Sequence, residues 1–203
     1  MHPNPTFRKP GTARNIAFAR DRGFGMLAIN ADPAPLVSHI PFLIDETGTE
    51  IELHLVRSNP ILKHLRSSAV IAVQGPDGYV SPDWYEIDDQ VPTWNYVAVH
   101  LRGTLRLLPD EALRPHLEAL SDNFEARLAP KPIWKLGKVA NEPLNRMLRM
   151  IAPVEMTVES VEGTWKLNQN KDDAVRLRAA DEVGAGAGLE LNALAALMRD
   201  PPG

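Results

Sequence analysis

Apolar and polar positions alternate most regularly between residues 94 and 108. Val97, Val99, Leu101, Leu105 and Leu107 fall on one face, and Ala98, His100, Arg102, Thr104 and Arg106 on the other. Period-two alternation is the signature of a strand with one buried face. Gly103, in the middle of the run, marks a bulge or a sharp bend of the kind a sheet needs when it curls towards closure. The same alternation recurs over Glu50–Val56, where Ile51, Leu53 and Leu55 oppose Glu52, His54 and Val56. Leu36–Ile44 reads as the preceding strand, with Glu46-Thr47-Gly48 as the turn between them. Gly25–Asn30 and Ala69–Gln74 are short apolar strands, and Asp32-Pro33 breaks the chain after the first. Gly75-Pro76-Asp77-Gly78 reads as a turn, and Tyr79–Tyr85 as an extended piece interrupted by Pro82. Val154–Val161 and Thr164–Leu167 read as two strands joined by a turn at Glu162-Gly163.

Helical periodicity is confined to fewer places. Thr12 can cap a helix reaching about Arg22, and Gly23 and Gly25 end it. Ser58-Asn59-Pro60 starts a short helix after the Glu50–Val56 strand. Pro109-Asp110-Glu111 opens a longer one to about Leu128, with Leu113, Leu117, Leu120 and Phe124 on one stripe. Ala129–Lys138 is broken by prolines. Short helices are predicted over Glu142–Met150 and Asp172–Arg178. Gly184–Gly188 reads as a flexible hinge and Leu189–Met198 as a helix that either docks or stays loose. The expected fold is mainly β with peripheral helices, an antiparallel barrel. The expected division is a barrel domain over residues 1–183 and a Gly/Ala-rich hinge with a helical tail over 184–203.

Composition narrows the function. The 203 residues are enough for one domain with a sizeable core, and 44% apolar with 24% charged is an ordinary globular mix. A net charge of −4 argues against a broad basic surface for nucleic acid. There is no cysteine, which excludes disulfides, thiolate metal sites and cysteine nucleophiles. No run has the length of a membrane span, and the amino end lacks an apolar stretch of signal-peptide type, so a cytoplasmic protein is expected.

Five groups of residues are candidates for chemistry. The six histidines show no local metal-binding spacing, so no protein metal site is expected. No G-x-S-x-G motif supports a hydrolase triad, and Ser81 reads as a turn serine. Arg57, Ser58, Asn59 and Lys63 gather where a strand gives way to a helix. Free first-turn N–H groups, a guanidinium and a lysine suit either a phosphate there or an ordinary capped helix with surface charges. Trp84, Tyr85, Trp94 and Tyr96 lie within thirteen residues of one another and suit either a core or a wall for a planar ring. Lys166-Leu167-Asn168-Gln169-Asn170-Lys171 is amide-rich and could read the edge of such a ring, or simply cap a helix.

These segments together resemble the PaiB-type family of FMN-binding negative transcriptional regulators, which have a flavin-reductase-like split β-barrel. The matching stretches are HIPF (His39–Phe42), HLVRSNP (His54–Pro60), GPDGYVSPDWY (Gly75–Tyr85), VPTWNYVAVHLRG (Val91–Gly103) and KLNQNK (Lys166–Lys171). They fall in the family's order over about residues 2 to 180. Asn168 departs from the pattern, which more often has Ser there.

The resemblance implies a homodimer with FMN in a groove between subunits. It implies His39, Ile40 and Pro41 along the flavin ring, and His54, Arg57, Ser58, Asn59 and Lys63 at the phosphate. It further implies Trp94, Asn95, Tyr96, Lys166 and Gln169 flanking the ring or reaching in from the other subunit. Three functions stay open: a flavin-binding regulatory or sensor protein, an FMN-dependent oxidoreductase like flavin reductases or pyridoxamine-phosphate oxidases, and a haem-binding split barrel. No catalytic residue is assigned. Direct DNA binding is left open, since no helix-turn-helix is evident; Arg146 and Arg149 are the nearest approach to a basic helix face.

Overall fold

The computed structural model describes all residues, 1–203. Five helices and seven strands follow one another in the order α1 (Thr12–Arg22), β1 (Phe24–Ile29), β2 (Leu36–Ile44), β3 (Glu50–Val56), β4 (Ser68–Val80), β5 (Thr93–Leu107), α2 (Leu113–Glu125), α3 (Asn141–Leu148), β6 (Ile151–Lys166), α4 (Asp173–Val183), β7 (Gly188–Leu189) and α5 (Leu191–Arg199). Strand neighbours run β1-β2-β3-β6-β5-β4-β7, and β1 also pairs with β4, so the first six strands close into a ring. Every pairing whose register is resolved is antiparallel. This is the antiparallel barrel that the alternation predicts. No helix is long and apolar enough to cross a membrane.

The chain forms two compact units. One comprises residues 20–72 and 101–160, the other residues 1–19, 73–100 and 161–203. In the first, Leu27, Phe42, Ile51, Leu53, Ile71 and Met156 are sealed from solvent on the inner faces of the strands. Each holds an inward position of a period-two pattern, and together they carry most of the hydrophobic stabilisation of this unit. In the second, Val80, Tyr85, Val97, Trp165, Leu167, Val183, Leu194 and Met198 form the core. The segment expected as a hinge and tail supplies part of that core: Leu194 and Met198 of α5 are fully buried and α5 packs on α4.

Two expected turns are straight strand. Gly75-Pro76-Asp77-Gly78 lies inside β4 and Glu162-Gly163 inside β6. Their glycines serve close packing instead of chain reversal. A Cβ on Gly75 would stand 2.6 Å from the ring of Phe18, and one on Gly163 would stand 2.1 Å from Oδ1 of Asn15. Gly103 has the same role, because a Cβ there would meet the Thr157 carbonyl oxygen at 1.9 Å. The Asp172–Arg178 helix extends to Val183.

Candidate functional site

In the barrel unit the outer face of β1, β2 and β3 is the place to look for a ligand. Residues opposite one another in a sheet share a face. Phe24 pairs with Pro41, Met26 with His39 and Leu43 with Glu52. The face therefore carries Phe24, Met26, Val37, His39, Pro41, Glu52 and His54. Phe24, Met26 and Val37 are 53%, 38% and 49% exposed, unusual for large apolar side chains at adjacent strand positions. Phe24 and His39 have their rings stacked, with centroids 6.5 Å apart. Of the three residues expected along a ring, His39 and Pro41 are on this face. Ile40 points the other way, into the core, at 3% exposure.

His54 belongs to a chain of hydrogen-bonding groups. Its Nδ1 lies 3.1 Å from Nε2 of His116, and Nδ1 of His116 lies 3.3 Å from Oε2 of Glu52. His116 comes from α2 and is 2% exposed. Burial drives the imidazole of His54 down to about 4, with the neighbouring His116 adding to the effect. Burial alone drives His116 down to about 4. Both rings are therefore neutral at pH 7. A neutral His54 brings no positive charge to the phosphate region where the resemblance places it. Glu52 and His116 escaped the sequence reading. The signal was present: three- and four-residue spacing puts His116 between Leu113 and Leu120 on the buried stripe of its helix, and Glu52 shares the face of His54.

The anion cradle after β3 is also less open than expected. The helix there is a five-residue 3-10 turn, Pro60–His64, too short for a useful dipole. Its first N–H groups are already used: the N–H of Ile61 donates to Oδ1 of Asn59, and that of Leu62 to the Asn59 carbonyl. The Asn59 amide donates to the Ser38 hydroxyl at 2.6 Å. Asn59 is thus a cap and a cross-brace. Arg57 donates from Nε to the Arg149 carbonyl at 3.0 Å and from Nη2 to Asp110 at 2.7 Å. The side chains of Ser58 and Lys63 are exposed and make no hydrogen bond within the chain.

The second unit holds the remaining candidates, and most are structural. Asn95 is fully buried; its amide donates to the Met198 sulfur at 3.4 Å and its Oδ1 has no partner within the chain. Gln169 is spent on the backbone: its Oε1 accepts from the Leu167 N–H at 2.7 Å and its amide donates to the Trp165 carbonyl. Lys166 donates to the Thr93 hydroxyl and, at 2.9 Å, to the Trp94 carbonyl. Partial burial lowers its ammonium pKa. Trp94 is 49% exposed and meets Tyr79 edge to face, and Tyr96 is half-buried. Tyr85 is core, with its hydroxyl donating to Asn168 and Lys171 over its ring at 4.4 Å.

A closed antiparallel barrel with peripheral helices defines a protein of the split-barrel class of folds. Two solved structures with this fold are the FAD and haem binding protein from Mycobacterium smegmatis (19% identity, 90% of this chain and 82% of that one, TM-score 0.58) and the flavocytochrome Anf3 from Azotobacter vinelandii (14% identity, 81% and 72%, TM-score 0.59). Residues 1–160 match the model of the family described as "Putative FMN-binding domain", and the chain belongs to that family of FMN-binding proteins. Among curated relatives, the protease synthase and sporulation protein PAI 2 of Bacillus subtilis is 24% identical over 97% of this chain and 96% of its own length. An uncharacterised protein of Saccharomyces cerevisiae is 32% identical over 53% of this chain and 64% of its own length.

The barrel unit fits FMN. Its exposed apolar strand face suits an isoalloxazine ring, and the unbonded Ser58 hydroxyl and Lys63 ammonium suit a phosphate.

Proposed function

We propose that this protein is an FMN-binding regulatory or sensor protein that works as a homodimer. The observation that carries the reading is the run of exposed apolar side chains, Phe24, Met26 and Val37, beside His39 and Pro41 on one strand face. An apolar face of this kind gains from covering a planar ring or a second copy of the chain. Lys63 and Ser58 bind the phosphate. Arg57 joins them only by leaving Asp110, so its contribution is discounted by that ion pair. The flavin supplies redox chemistry when bound. The chain's own residues bind it, orient it and cover one side. The regulatory part rests on the likeness to the PaiB-type family.

The visible spectrum of the purified protein tests the reading. A flavin spectrum that NAD(P)H leaves unchanged supports a binder or sensor. Bleaching by NAD(P)H supports an oxidoreductase, and a Soret band a haem protein. In fluorescence titrations, Lys63→Ala should weaken FMN about tenfold and leave riboflavin unchanged, as expected for one charge-assisted contact. Asp110→Asn should tighten FMN by freeing Arg57. Unchanged FMN affinity in both variants would sink this phosphate site.

A further inference from the structure

The Glu52–His116–His54 chain fixes more than the position of a ring. A carboxylate only accepts hydrogen bonds, so the proton between Glu52 and His116 sits on Nδ1 of His116. A neutral imidazole has one N–H, so Nε2 of His116 is bare and accepts. The proton between the two rings therefore sits on Nδ1 of His54. That leaves Nε2 of His54 as a lone pair. It has no partner within the chain and is not sealed from solvent.

We propose that Glu52 and His116 are positioning residues that lock His54 in its Nδ1–H tautomer, so that Nε2 accepts a hydrogen bond from an O–H or N–H of the bound flavin nucleotide. This rests on the FMN reading above. A lone pair repels phosphate oxygens, so the partner is a donor on the ribityl chain or the ring, and His54 is not a phosphate ligand. His54 stands one residue beyond Leu53 in β3, on the face that carries His39 and Pro41. Its ring meets that of His116 edge to face, at 5.3 Å between centroids. The rotamer and the tautomer are therefore held by the same neighbour.

The relay is tested by ¹⁵N–¹H long-range correlation spectra of the histidine rings in the full chain at pH 7.5, without and with FMN. His54 should show a protonated Nδ1 and a bare Nε2. Glu52→Ala should shift His54 towards the Nε2–H form that dominates for free imidazole side chains in water. Glu52→Gln should keep the wild-type pattern, because its amide oxygen still accepts. An Nε2–H tautomer in the wild-type protein, or no response to Glu52→Ala, would overturn the lock. Glu52 is partly exposed, and far-ultraviolet circular dichroism of each variant checks that the fold is kept.

Binding then tests the acceptor. His54→Ala should weaken FMN and riboflavin by the same factor, about five- to tenfold for one lost hydrogen bond. A loss confined to FMN would make His54 a phosphate ligand, and unchanged affinity for both would remove it from the site; either result overturns the acceptor role. A wild-type protein that binds no flavin would overturn the FMN reading and the acceptor role with it, while the tautomer spectra decide the lock by themselves.

Discussion

The indole N–H of Trp165 donates to Oδ1 of Asn15 at 2.8 Å, joining residues 150 positions apart in the chain. Both are buried, Asn15 at 3% and Trp165 at 1% exposure. The other end of the Asn15 amide donates to the Pro10 carbonyl. One side chain thus ties the start of α1 to β6 and satisfies a buried donor.

Asn15→Ala should therefore destabilise the protein by about 1–3 kcal/mol, the cost of leaving a buried N–H unpaired. Urea denaturation followed by tryptophan fluorescence measures it. A loss under about 0.5 kcal/mol, the usual range for surface changes, would mean that the bond contributes little.

Acid should weaken the barrel unit through its two buried imidazoles. His54 and His116 are pushed from 6.5 down to about 4 in the folded chain. The unfolded chain binds more protons between these values, so the stabilisation is complete above pH 6.5 and fades as pH falls towards 4. The carboxyl group of Glu52 beside His116 is partly exposed, so water screens it. The loss should be on the order of a few kcal/mol for the pair, discounted for the partial exposure of His54. Urea midpoints from pH 7.5 to 4.5 should slope less in His116→Leu than in the wild-type protein. Parallel slopes would refute the assignment.

Removal of residues 190–203 should unfold the second unit. The deletion takes Leu194, Ala195 and Met198 out of its core and the Met198 and Arg199 carbonyls from the buried Arg176. Losing a single large buried side chain costs about 2–5 kcal/mol, so losing a helix that carries several exceeds what most domains can spare. A truncated chain that keeps its near-ultraviolet circular dichroism and melting temperature would show that α5 is dispensable.

Much of the barrel was legible because alternation reports burial directly. Ile51, Leu53 and Leu55 in β3, and Val97 to Leu105 in β5, face inward as their pattern requires. The sequence misled where glycine was read as punctuation. Gly75, Gly78 and Gly163 lie in strands because side chains from elsewhere occupy the space a Cβ would need, and such neighbours are invisible in local sequence. The site was half legible for a similar reason. Arg57, Asn59 and Gln169 are the right chemical types, yet Asp110, Ile61 and the backbone at Leu167 already hold them. Residue type proposes a ligand contact, and only tertiary neighbours reveal whether the donor is free.

The order of the segments also shapes how the chain matures. The unit made of residues 20–72 and 101–160 has all its parts once residue 160 has left the ribosome, whereas the other needs residues 161–203 to meet residues 1–19 and 73–100. During synthesis the early half of β4 can settle into its barrel while the later half still waits for α4 and α5. Val80 and Val97, sealed in the finished protein, belong to the unit completed last, so theirs is the apolar surface that waits longest for cover.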